Sequence, residues 1–309
     1  MRRSTLYAPR VRGDLDLGLE PTRLAGDGSQ KWARIDAPGG LLPGGTPQGI
    51  YEQNSTQNYR IGTRRVTDDR VFHYAQAGST ETLFPTYGVC CDATFPESAV
   101  VATARAISAY TVTCTSQAAV TADFFAEGWL AVSSGTFGYW PLYRIKSNTA
   151  DLTGTGTFIV TLYDPLVAPI SINDEVVTLF KNKYKGVRSI RSYVVAHQDW
   201  PGIENRVCWV GIPLTPTNPT GTGIDDFVIT QNYYFWVQTW GPCHGTGVDN
   251  YGEGNYEQRL IFYNDGSLKV STVAQVEQLA GYLLPNTYWG GIGHDLPGAV
   301  MLVDLRVSP

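Results

Sequence analysis

From Val71 onward the chain is a series of short apolar runs separated by turn residues. In 70–78, RVFHYAQAG, positions 71, 73, 75 and 77 alternate against 72, 74 and 76. In 109–116, AYTVTCTS, Tyr110, Val112 and Cys114 share one face and Thr111, Thr113 and Thr115 the other. GWLAVSSG, YWPLYRIKS, TFIVTLYDPL, EVVTLFKN, RSYVVAH, RVCWVGIPL and DFVITQ follow. They are rich in the β-branched and aromatic residues that suit half-buried strands, and SSG, DP and NPTGTG break them. A helical stripe of useful length is missing; 271–281, STVAQVEQLAG, is the best helix candidate but reads equally as an alternating strand. This spacing predicts an all-β body, an antiparallel β-sandwich or barrel.

Residues 232–243, NYYFWVQTWGPC, concentrate large rings. Period-2 geometry puts Tyr233, Phe235, Val237 and Thr239 on one face and Tyr234, Trp236, Gln238 and Trp240 on the other, with Pro242 expected to end the strand. Three readings fit: a central strand buried on both faces, a subunit interface, or a sugar-stacking platform. Residues 1–66 carry no sustained apolar period, and 37–49, APGGLLPGGTPQG, cannot build a core. The expected organisation is therefore an extended, irregular N-terminal arm over 1–66 and a β-rich body over 67–309, open to division into two β subdomains, with 244–270 as an insertion. The arm is either a solvated tail or a segment that orders across another subunit. The second reading gives its isolated rings Trp32, Tyr51 and Tyr59 a purpose, and gives Arg2, Arg3, Arg10 and Arg12 an acidic surface to meet. The RGD at 12–14 is read as a chance tripeptide.

Only 17% of the 309 residues are charged, against roughly 25% in an average globular protein. Such a surface suits coverage by neighbouring chains. A net charge of −5 argues against a nucleic-acid partner. Without an apolar run of membrane-spanning length, no membrane partner is expected. The opening MRRSTLYAPRVRG lacks the apolar segment of a secretory leader. Together with an odd count of five cysteines, this predicts reduced thiols that pack as small apolar residues: Cys90, Cys91, Cys114, Cys208 and Cys243.

Candidate chemistry is sparse. The four histidines, His73, His197, His244 and His294, show no repeated metal-ligand spacing. Adjacent Cys243 and His244 would point to opposite faces of a strand. No G-x-S-x-G elbow or phosphate-cradling loop occurs. The carboxylate pairs Asp68-Asp69, Asp174-Glu175 and Asp225-Asp226 sit where turn capping explains them. No catalytic residue, metal or cofactor is assigned, and the chain is expected not to be an enzyme.

The segments DDRVFHYAQAG, TADFFAEGWLAVSSGT, YRIKSNT, TLYDPL, EVVTLFKNKYKGV and NYYFWVQTWGPC, in that order, resemble a family of tailed-bacteriophage virion structural proteins, and GAVMLVDLRV at 298–307 resembles its terminal strand. The likeness covers roughly 68–243 and the last thirty or so residues; the long arm and 244–270 depart from it. It implies a virion protein assembled in the host cytoplasm, of the head decoration, cement or minor capsid kind. Such a protein bridges subunits of its partner, the major capsid protein, and forms a homo-oligomer with a trimer favoured. The expected contact residues are Arg2, Arg3, Arg10, Arg12, Trp32, Tyr51, Tyr59, Tyr234, Trp236 and Trp240. The rivals are a tail, neck or baseplate component and a carbohydrate-binding or depolymerising virion protein.

Overall fold

The computed structural model describes residues 40–80, 82–91, 97–116, 118–134, 141–171, 175–189, 208–214, 228–247, 259–263, 265–271, 278–284 and 300–308. Among these there is no helix, and the strands form sheets that are antiparallel but for one short parallel pairing, in two separate bodies.

The first body is a ten-stranded sheet. It contains β1 (Arg64–Thr67), β2 (Arg70–Ala77) and β3 (Val89–Cys90), and resumes far along the chain with β10 (Lys185–Val187), β11 (Trp209–Pro213) and β12 (Tyr234–Thr246). β13 (Arg259–Phe262), β14 (Leu268–Val270), β15 (Leu279–Leu283) and β16 (Val300–Arg306) complete it. The main path runs β1-β2-β12-β16-β15-β13-β14; β10 adds to β2 in parallel, β11 to β12, and β3 to β11. The second body lies between β3 and β10 in sequence. It is a closed six-stranded barrel in the order β4-β5-β8-β7-β6-β9, made of β4 (Glu97–Thr103), β5 (Thr111–Thr115), β6 (Trp129–Ser134), β7 (Leu142–Asn148), β8 (Thr157–Leu162) and β9 (Glu175–Phe180). β9 closes it by pairing with both β4 and β6.

Alternation explains the barrel directly. Val112, Cys114, Leu130, Ile145, Phe158, Val160 and Leu179 point inward and are buried, while the residues between them face out. Six strands enclose a lumen that side chains fill. Asp151 tightens the turn before β8: its carboxylate accepts from Thr153 N, Thr153 Oγ1, Gly156 N and Ser116 Oγ. The Ser116 and Thr153 bonds hold its pKa down at about 2, because they stabilise the anion.

β12 is the axis of the large sheet. It pairs with β2, β11 and β16, and Phe235, Trp236, Val237, Gln238 and Thr239 are all buried. The ring-rich stretch is thus a central strand covered on both faces by its own chain. Trp236 packs against Tyr59 and Tyr74 at centroid distances of 5.2 and 5.0 Å. The expectation that Pro242 ends this strand is corrected, since β12 runs on to Thr246. The ladder to β2 stops at Trp240, and from there the strand pairs with β16, so a residue without an N–H is tolerated. Gly241 makes the passage possible: its φ is +82°, and a Cβ there would lie 2.4 Å from the Asp69 carbonyl oxygen.

Two boundaries also move. Within the expected arm, 40–66 packs on the body. Leu41 bridges to Tyr59, Asn54 bridges to Tyr234, and Tyr59 and Ile61 belong to the core. Polar side chains replace the missing apolar period. Gln48 accepts from the Tyr74 hydroxyl at 2.8 Å and donates to the Tyr234 carbonyl at 2.9 Å, and Asn58 donates to Gln48 at 3.2 Å. The segment 244–270 is not peripheral where it is described, because Leu260, Ile261, Phe262 and Leu268 are core residues of β13 and β14. Of the ambiguous 271–281, residues 279–281 lie in strand β15, and 272–277 fall outside the described residues.

Candidate interaction surface

Arg2, Arg3, Arg10, Arg12 and Trp32 lie outside the described residues. Tyr59 and Trp236 are 0% and 1% exposed, which corrects their assignment as contact residues; neighbouring core rings from the same chain already cover them. Tyr234 is half-buried, stacks over Tyr74 at 6.1 Å and accepts a hydrogen bond from Gln76. Trp240 is half-buried beneath the Arg306 guanidinium, 4.4 Å from its ring centroid. Tyr51 remains exposed, within reach of Arg70. Of the five described positions, Tyr59 and Trp236 thus lie in the core while Tyr51, Tyr234 and Trp240 reach the surface, and the buried face of β12 is closed to a sugar.

Among the described residues, most of the exposed large apolar side chains lie on the barrel. Trp129 of β6 stands directly opposite Phe180 of β9, and Ala131, two residues on, stands opposite Leu142 of β7. Trp129, Leu142 and Phe180 are 42%, 55% and 40% exposed. These outward positions make a broken apolar stripe across three strands, with Arg144 directly opposite Trp129 on β7. Ile107, Tyr110 and Val167 are exposed where the loop before β5 hydrogen-bonds to the one after β8. Sequence reasoning passed over the stripe, though a signal was present. Leu142 shares its strand face with Arg144 and Lys146, and a face carrying two cations points to water.

The stripe borders the joint between barrel and sheet. Glu127, 8% exposed, sits at its centre. Its carboxylate meets Arg144 at 2.9 Å and Arg60 of the sheet body at 3.9 Å, and accepts from the Tyr163 hydroxyl. Burial and then the Glu127 hydrogen bond push the Tyr163 phenol up to about 12, so it stays a donor. Glu127 has φ +62°, a conformation that costs a non-glycine residue of order 1 kcal/mol and persists only where the surroundings impose it. Here they do: Glu127 N donates to Ile145 O at 2.9 Å, and Asn182 Nδ2 donates to Glu127 O at 2.8 Å and to Ile61 O at 3.3 Å. Asn182 thereby ties both bodies together.

Beside it is a cleft of about 160 Å³ lined by Phe124, Lys181, Lys185 and Arg188 together with Gln76 and Gly78. Lys185 donates to the Asp123 carbonyl of the barrel, and burial followed by repulsion from Lys181 lowers its pKa to about 8. His73 is structural. It stacks on Tyr184 at 4.6 Å and its Nδ1 contacts Thr239 Oγ1 at 3.2 Å. Among the described residues no group of three His, Cys, Asp or Glu is placed to hold a metal. Comparison with protein-family models, with curated proteins and with solved structures finds no match for this chain.

Proposed function

We propose that the chain is a non-enzymatic structural protein of a tailed-bacteriophage virion, of the head decoration or minor capsid kind, that bridges major capsid subunits. The observation that carries this reading is where the family-like segments fall. TADFFAEGW, YRIKSNT, TLYDPL and EVVTLFKNKYKGV supply Glu127, Arg144, Tyr163, Asn182 and Lys185, the residues that fix barrel to sheet, and they border the open stripe of Trp129, Leu142 and Phe180. A protein that braces a shell needs two rigid bodies at a set angle and an apolar face for its neighbour. It does not need a reactive pocket. Rings of this kind dominate interface energies, and weak contacts repeated by symmetry add up to firm attachment.

The test is add-back. Purified protein is mixed with shells that lack it, and bound copies are counted after sedimentation. Wild type should saturate the shells, and Trp129→Ser combined with Phe180→Ser should reduce occupancy at least tenfold while leaving the melting transition in place. Antibody label confined to the tail, or no binding to shells at all, would refute a head position.

A further inference from the structure

We infer that Cys91 and Cys208 form a redox-active dithiol, a site of reversible oxidation by low-molecular-weight disulfides of the glutathione class. The geometry begins with strand register. β3 and β11 run antiparallel with Cys90 opposite Trp209, so the next pair along is Cys91 opposite Cys208. Cys91 N donates to Cys208 O at 2.8 Å, one of the two bonds of a hydrogen-bonded cross-strand pair, and this holds the residues opposite each other just past the ends of β3 and β11. In such a pair the Cα atoms lie about 5.5 Å apart, within the span a disulfide bridges. Residues opposite each other across two strands send their side chains to the same face, so the two thiols stand side by side, with Cys208 Sγ 3.8 Å from the Trp209 carbonyl oxygen.

The two sulfurs are not equivalent. Cys208 is exposed, Cys91 is half-buried, and Cys90, Cys114 and Cys243 are buried. The hydrogen bond from Cys91 lowers the Cys208 pKa, and the positive charge of Lys183 adds to this. The same bond, and then burial, raise the pKa of Cys91. A thiolate held next to its own thiol donor is the arrangement in which one sulfur attacks and the other resolves. The Cys208 thiolate attacks one sulfur of the small disulfide RSSR, forming a mixed disulfide and releasing RS⁻. Cys91 then loses its proton to the released thiolate and attacks Cys208 Sγ, expelling the second RS⁻, which takes up the proton left when Cys208 ionised. The protein loses two electrons and two protons, and RSSR becomes two RSH. The bond closes a loop that contains the entire barrel, so it staples the sheet body across the inserted domain. The inference does not depend on the virion reading.

The experiment uses the full chain, purified reduced and equilibrated in oxidised and reduced glutathione at a series of ratios. Samples are quenched by alkylation and read by intact mass and peptide mapping. Wild type should lose two hydrogens and yield one crosslinked peptide joining Cys91 to Cys208, reversed by excess reduced glutathione. Cys91→Ser should stop at a glutathione adduct on Cys208, and its alkylation profile should shift to higher pH. Cys208→Ser should not react in the folded state. Five free thiols under fully oxidising glutathione, a bridge through Cys90, or a wild-type adduct that never resolves would each overturn the assignment.

Discussion

His73 shows how much one buried side chain sets the response to acid. Burial, with Lys183 and Arg64 adding to it, lowers its pKa from 6.5 to about 4. Above pH 6.5 the ring is neutral in the folded and unfolded chain and stability does not depend on it. As pH falls from 6.5 toward 4 the unfolded chain takes up a proton that the folded chain refuses, so stability drops; below about 4 the loss is complete. At about 1.4 kcal/mol per pH unit the loss reaches roughly 3 kcal/mol. Urea unfolding at pH 7 and 4.5 should show His73→Gln losing much less stability over this interval than wild type; parallel losses would count against it. Asp151 acts lower, as pH falls from 3.8 toward about 2, so the two windows separate. At the joint, Glu127→Gln should cost about 1–2 kcal/mol in equilibrium unfolding, since it unpairs Arg144 and Arg60. Both arginines are more than a third exposed, so water meets part of the loss.

At the scale of the element, tight approaches decide what is tolerated. Gly128 opens β6 where the barrel meets the chain leaving β9, and a Cβ there would lie 2.1 Å from the Phe180 carbonyl oxygen. Gly128→Ala should cost roughly 2–3 kcal/mol by overpacking against backbone that cannot yield, seen as a lowered denaturant midpoint with an unchanged slope. Strands were largely legible in the sequence because alternation is a local property: β5 and β8 follow it residue by residue, and β7 does so up to the irregularity after Ile145. β12 was legible as a strand but not in its surroundings. Burial of Trp236 depends on Tyr59, far away in sequence, and a period-2 pattern carries no information about what covers a face. The packing of 40–66 was hidden for a related reason. It rests on Gln48 and Asn58 hydrogen bonds, which leave no apolar period. The Cys91–Cys208 pairing needed the β3–β11 register, and no spacing rule encodes that.

Across the whole molecule, the barrel carries its own core cluster and all its strand partners lie within 97–180. Expressed alone, 97–180 should give a cooperative unfolding transition and protected amides in β5 and β8; a chain that exchanges freely would show that the barrel depends on its host sheet. The host is built differently. β2 pairs with β12, so Phe72 meets Gln238 and Tyr74 meets Trp236 across the full length of the inserted barrel, and β16 joins only later. That ordering bears on synthesis. When the barrel has left the ribosome, β2 still has no central partner, and its apolar residues wait until β12 and β16 are translated. The nascent protein is then a finished barrel on a sticky half-sheet, the stage at which a chaperone that holds hydrophobic strands would be needed most.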